Sequence, residues 1–138
     1  MSRGIEFVQE PAALQNQFAS DHWLQHFLEW RLPKAQFEKA KIELERFAVR
    51  VGPEMMDLAQ QAEAQEPRLV QFDAWGRRID KIEMSPAWDK LAAIAAEEGI
   101  VAEGYERSLG GFSRLYQLAK LYLYHPSSAV FSCPLAMT

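Results

Sequence analysis

With 138 residues, of which 49% are hydrophobic, the chain can bury one core, so a single domain over residues 1–138 is expected. Its formal net charge of -4, with Lys and Arg scattered rather than clustered, excludes a surface built to displace counterions from nucleic acid. The lone Cys133 can form no internal disulfide and the N-terminus lacks the charged-then-apolar order of a secretory signal, which points to the cytoplasm.

Residues 1–19 hold Pro11 and little periodicity, and read as an arm leading into the first helix. Ser20 or Asp21 can cap that helix, since a short side-chain oxygen accepts from the free amides of a first turn. Trp23, Leu24, Phe27 and Leu28 then fall at helical spacing and predict one apolar face, ending near Arg31 because Pro33 forbids continuation. From Pro33 onward Phe37, Ala40, Leu44, Phe47, Ala48 and Val51 recur with Lys and Glu between them, the clearest amphipathic helix in the chain. Gly52-Pro53 breaks or kinks it. Met55, Leu58, Ala59 and Ala62 carry the pattern to about Gln65, and Pro67 closes the block.

Between Leu69 and Trp88 the apolar spacing shortens to nearly two, with Val70 and Phe72 on one side of Asp73-Ala74-Trp75-Gly76 and Ile79 and Ile82 on the other. This predicts a β-hairpin at about residues 69–83. Gly76 supplies the positive φ that a closing turn needs, and Asp73 can bond the backbone beyond it. Two helical blocks are expected to meet at this ribbon, with Trp75 packed where they join. On that reading Trp75→Ala and Gly76→Val destabilise far more than Arg77→Ala. Arg77 and Arg78 can grip a phosphate, of coenzyme A or of a nucleic-acid backbone, but Asp73 and Asp80 stand close enough to neutralise them, and the structural pairing is preferred.

After the ribbon, Ser85-Pro86 reads as an N-cap followed by proline at the first helical position. Trp88, Leu91, Ala92 and Ala95 are expected to face the core, with Gly99 ending the helix in a left-handed conformation. Residues 100–109 are short and mixed, Gly110-Gly111 marks a loop, and residues 112–124 are apolar almost all round, as in a buried helix. Lys120 and His125-Pro126 interrupt this region short of the roughly 18 apolar residues of a membrane span. From Ser127 the sequence runs to Thr138 and stops in mid-pattern, which suggests that the natural polypeptide continues.

Each candidate for chemistry has a plainer reading beside it. His22 and His26 have metal-ligand spacing, but no third ligand is evident and solvent-edge histidines suffice; no metal site is expected. Cys133 lacks a basic neighbour that would lower its pKa and is expected as a buried small hydrophobe. Glu97-Glu98 and Glu103 with Glu106 offer paired carboxylates, yet flank a helix end where solvated charge is common. Phe112, Tyr116, Tyr122 and Tyr124 can stack on a flat ligand, but on an apolar helix they read as core. Gly110-Gly111 lacks the Lys-Ser/Thr of a phosphate loop.

The run Asp73-Ala74-Trp75-Gly76-Arg77-Arg78-Ile79-Asp80, then Pro86-Ala87-Trp88, Ser113-Arg114 with Gln117 and Lys120, and Cys133-Pro134-Leu135-Ala136-Met137-Thr138 together resemble the N-terminal region of acyl-CoA-dehydrogenase-like flavoproteins of the AidB, or adaptive response, branch. The resemblance covers nearly the whole chain. It implies a mainly α fold, the helical N-terminal domain of that family with one inserted hairpin, in a polypeptide that also carries a middle β-domain and a C-terminal helical bundle. FAD would sit mainly between those absent domains. In the wider family a glutamate of the C-terminal bundle removes the α-proton of an acyl-CoA while flavin N5 takes a hydride from the β-carbon, and no residue here corresponds to that glutamate.

Met137-Thr138 superficially mimics the middle-domain flavin loop, but stands where the family begins a helix that lines the acyl cavity. The resemblance thus places Leu135, Met137 and Thr138 near an acyl chain or the flavin edge, against ordinary helix packing as the alternative. Two functions follow. One is a cavity wall and scaffold in a homo-oligomeric FAD-dependent oxidoreductase, this chain alone being inactive and binding no FAD. The other is a free-standing, non-catalytic helical interaction module.

Overall fold

Local caps decide where the first helices begin. Asn16 accepts the Ala19 amide at 3.0 Å and opens a single turn, α1 (Gln17–Ser20). Asp21 Oδ1 accepts the Leu24 amide at 2.8 Å and opens α2 (His22–Arg31). The computed structural model describes residues 15–137, so most of the expected N-terminal arm lies outside the described residues. Its last part is helical instead, because Phe18 in that single turn is fully buried and anchors it, a contact too isolated to show as periodicity.

Beyond Pro33 runs α3 (Lys34–Val51), whose Ala40, Leu44, Phe47, Ala48 and Val51 are buried as the spacing predicts. Gly52 turns the chain into α4 (Pro53–Glu63), where proline occupies a first-turn position that needs no amide. Following the hairpin β1 (Arg68–Phe72) and β2 (Arg78–Glu83), Ser85 Oγ accepts the Trp88 amide at 3.2 Å and opens α5 (Pro86–Glu97). Gly99, at φ +60°, then reverses the chain: its amide bonds Ala96 O at 3.0 Å and the Ile100 amide bonds Ala95 O at 3.1 Å. Ile100 is buried by the reversal. Then follow α6 (Ala102–Glu106), a 3-10 turn over Gly110–Phe112, α7 (Ser113–Tyr124), a second 3-10 turn over His125–Ser127, and α8 (Ser132–Ala136).

At the centre lies α3, touched by α1, α2, α4 and α7, while α5 packs on α4. Leu44, Phe47, Leu91, Leu123 and Tyr124 are fully buried. Burial of such a side chain contributes about 1.5–3 kcal/mol. The Tyr124 hydroxyl satisfies itself on Leu91 O at 2.8 Å, which ties α7 to α5.

The hairpin forms where the period changed, in an antiparallel register that sets Leu69 opposite Ile82 and Arg68 opposite Glu83, with a bulge between Val70 and Phe72. It does not join the helical blocks. Because α4 and α5 pack directly on one another, the ribbon projects, leaving Leu69, Phe72, Trp75, Ile79 and Ile82 exposed. Trp75 is 90% exposed, so its expected place at a junction is wrong. Alternation in a two-stranded ribbon is satisfied by cross-strand pairing and does not require a core beneath. Two further expectations fail for the same reason, that neighbours and not periodicity decide burial. Trp23 stands 87% exposed on α2 although Leu28 is buried, and α7 leaves Leu118 and Tyr122 open to solvent.

Candidate functional site

One turn of helix, α8, sits between two apolar clefts. It is held from below by Phe131, whose ring meets Trp88 edge-on with centroids 4.8 Å apart, and by Ser132, whose Oγ lies 2.7 Å from His125 Nδ1. The approach to it is bent at Ala129, a non-glycine residue at φ +49°. On one side a groove of about 410 Å³ runs between α5 and α8 and is lined by Ala95, Gly99, Ala102, Phe131 and Leu135. Small side chains on α5 leave this space, and half-buried Leu135 borders it. On another face Ser132 and Ala136 border a cleft of about 480 Å³ with Leu118, Tyr122 and His125.

Of the residues expected near an acyl chain, then, Leu135 lines a groove, Met137 is 76% exposed and lines none of the clefts described, and Thr138 lies outside the described residues. The hairpin residues act on each other. Asp73 Oδ1 accepts the amides of Trp75 and Arg77, each at 2.9 Å, while Gly76 takes φ +79° and Arg78 Nε donates to Asp80 Oδ2 at 2.7 Å. Asp73 therefore spends its carboxylate on the turn and not on Arg77, and Arg78 pairs along its own strand, not across the hairpin. Asp80 itself adopts φ +44°.

Sequence reasoning missed the buried charge. Glu98, expected in solvent, is 5% exposed and receives Arg46 Nη2 at 2.6 Å and Arg50 Nη1 at 3.1 Å, guanidinium groups four residues apart on α3. Burial alone would raise its carboxyl, but the hydrogen bonds from Arg46 and Arg50 prevail and hold it below the ordinary value. Lys120 is buried too, donating to Glu98 O at 2.8 Å and lying over the Tyr116 ring, and burial depresses its pKa. Glu103 is likewise buried, with both carboxylate oxygens 2.7 Å from Ser108 Oγ. The Arg at i, i+4 on α3 was the available signal, but it named no partner. Paired in this way, these charges hold α3, α5 and α7 in register.

Burial also pushes the Tyr116 and Tyr124 hydroxyls up. Cys133, expected buried, is exposed, because Ser132 and Leu135 take the inward positions of α8. His22 and His26 are exposed, and no cluster of His, Cys, Asp or Glu among the described residues could hold a metal ion. Only Gln17 Nε2 and Ser127 Oγ, among buried side-chain atoms of the described residues, lack a hydrogen-bond partner. Such an orphan costs about 1–3 kcal/mol. No helix among the described residues is long and apolar enough to cross a membrane.

Fold and site together define a helical domain with its buried charges in structural pairs, a projecting hairpin, and apolar clefts around its last turn. The family model for the adaptive response protein AidB N-terminal domain matches residues 9–138, and the chain belongs to that family, the N-terminal domain of acyl-CoA-dehydrogenase-like proteins. Acyl-CoA dehydrogenase family member 11 of Caenorhabditis elegans is 41% identical over 133 residues, which are 96% of this chain and 22% of that protein. The putative acyl-CoA dehydrogenase AidB of Escherichia coli strain K12 is 27% identical over 85 residues, 62% of this chain and 16% of its own. Among solved structures, Caenorhabditis elegans ACDH-11 in complex with C11-CoA superposes with a TM-score of 0.90 at 38% identity, over 99% of this chain and 23% of that one. The Bd2924 apo-form gives 0.89 at 51% identity, over 95% of this chain and 26% of that one. The chain thus spans about a quarter or less of the length of the relatives it matches.

Proposed function

We propose that this chain is the N-terminal domain of a longer, cytoplasmic, homo-oligomeric, FAD-dependent acyl-CoA dehydrogenase-like oxidoreductase, in which it is scaffold and one wall of the acyl-binding cavity. Residues 1–138 form a single helical unit on this reading, and a middle β-domain and C-terminal helical bundle complete the protein. The observation that carries it is the groove of about 410 Å³ beside Leu135, apolar and floored by small residues of α5. A relative of the same fold is described in complex with C11-CoA, which supports an acyl ligand for the complete protein. FAD, when bound there, would supply the redox chemistry. This chain supplies shape: Leu135, Phe131 and the α5 alanines exclude water from an apolar chain.

In the full-length protein, Leu135→Trp should shift the preference towards shorter acyl-CoA substrates, with kcat/KM for the longer ones reduced about tenfold or more, since each excluded methylene is worth about 0.8 kcal/mol. An unchanged chain-length profile would remove Leu135 from the wall. The 138-residue chain alone should purify colourless and oxidise no acyl-CoA; a flavin absorption band in the purified protein contradicts this.

The second reading, a non-catalytic interaction module, is favoured by the exposed Leu69, Phe72 and Trp75 on the hairpin. Reading the coding sequence past Thr138 separates the two. A stop codon at once, with stable soluble protein, favours the module; further codons bearing a flavin loop and a glutamate-bearing helix favour the enzyme.

A further inference from the structure

We propose that His125 is a positioning residue for the acyl-binding cavity: through Ser132 it sets the rotation of α8, and with it how far Leu135 reaches into the α5 groove. This rests on the reading of that groove as the acyl wall. Along α8 two rows of side chains stand one residue, or about 100°, apart. Ser132 and Ala136 border the cleft beside α7, while Phe131 and Leu135 border the groove beside α5. Whatever pins the first row therefore fixes the angle at which the second meets α5. The pin is the contact of 2.7 Å between Ser132 Oγ and His125 Nδ1, closed off from solvent at Ser132, which is buried.

His125 is a firm end for that pin. Its amide donates to Leu121 O and so continues α7, and its carbonyl accepts the Ser128 amide at 3.3 Å and Ser128 Oγ at 2.9 Å. Its ring then reaches seven residues on to α8 and closes the segment that carries Ala129 at φ +49°. On the other side of α8 the edge-on contact of Phe131 with Trp88 keeps the helix close to α5. Such a contact tolerates sliding, whereas a hydrogen bond weakens steeply as its angle bends. Across the groove Ala92, Ala95, Ala96 and Gly99 are too short to follow Leu135 if it swings away. The groove then has no single width, and acyl chains differing by a few methylenes are told apart less well.

The test takes the full-length protein, with octyl-, decyl- and dodecyl-CoA thioethers in calorimetry and hydrogen exchange followed at the α8 amides. His125 is exposed, so His125→Phe keeps a ring without the nitrogen and leaves the core untouched; Ser132→Ala removes the hydroxyl. Each should speed exchange in α8 about fivefold, the size of one net hydrogen bond, and narrow the spread of affinities across the thioethers, with the melting temperature nearly unchanged. His125→Asn, whose amide can stand at the Nδ1 position, should restore both readouts. His125→Phe and Ser132→Ala together should do no more than either alone. Unaltered exchange in α8, additive effects, no rescue by asparagine, or a lowered melting temperature with all thioethers weakened alike would each overturn the proposal. Leu135→Trp separates it from the reading beneath it. A spread altered by Leu135→Trp but not by His125→Phe overturns the role of His125 alone, and a spread that Leu135→Trp leaves unaltered removes the acyl wall and this proposal with it.

Discussion

Glu98 brings a charge into a nearly closed position because Arg46 and Arg50 come with it from α3. Its folded pKa is lowered from an ordinary value near 4.5, so its stabilising effect is fully present above that value and is lost as pH falls through the lowered one. Glu98→Gln should therefore cost about 2 kcal/mol at neutral pH, the worth of hydrogen bonds to a charged group, and the gap from wild type in urea melts should close towards pH 3. A constant gap would assign the loss to packing. Lys120 runs the other way: with its folded pKa held below 10.5, the protein gains stability as pH rises through that window. A Cβ at Gly104 would meet Gln117 Oε1 and Arg114 Nη1, the far ends of two long side chains that can move aside. Gly104→Ala should therefore change stability by less than about 1 kcal/mol in thermal melting, the helix propensity that alanine adds offsetting the shift of those side chains. By contrast Trp75→Ala should change global stability by less than about 0.5 kcal/mol, as expected of an exposed side chain.

Among the elements, the hairpin and the end of α5 show how far local chemistry reaches. Asp73 and Gly76 close the turn as their residue types require, but the ribbon touches little besides itself. Gly76→Val at φ +79° should therefore fray the hairpin and leave the helical melt nearly unchanged; faster hydrogen exchange at hairpin amides with an unaltered melting temperature is the expected result. At the α5 reversal, the left-handed Gly99 seats Ile100 in the core, so strain there spreads into the whole domain. Gly99→Ala should cost about 1–2 kcal/mol, and Gly99→Asn less, because Asn tolerates this conformation; equal losses in chemical denaturation would show that packing, not φ, dominates. The caps at Asp21 and Ser85, the break at Gly52-Pro53 and the stripe on α3 were all legible in the sequence. Each is a contact within a few residues, and sequence displays such contacts directly.

At the scale of the molecule, stability rests on the common core under α3, α5 and α7. Leu91→Ala, fully buried beside Tyr124, should cost about 3 kcal/mol in a single cooperative transition. The family resemblance, carried by the hairpin run and by Cys133 to Thr138, agrees with the matched domain over residues 9–138. What neither period nor motif could say is which apolar faces find a partner. Trp23, Trp75 and Leu118 share the hydrophobic character of Phe47 and Leu91, yet only the latter pair is covered, because coverage depends on residues far away in sequence. The same holds for charge: Glu98 looked solvated at a helix end until α3 laid two arginines across it. By itself, then, the sequence determined the longer helices α2 to α5 and α7, the caps at Asp21 and Ser85, the hairpin turn and the family, while the short helices α1 and α6 escaped it because single turns carry no period. Only the tertiary structure decided that the ribbon projects, that Glu98 and Lys120 lie inside, and that Leu135 borders one cleft while Gln17 borders another, since burial and pairing arise from distant segments brought together.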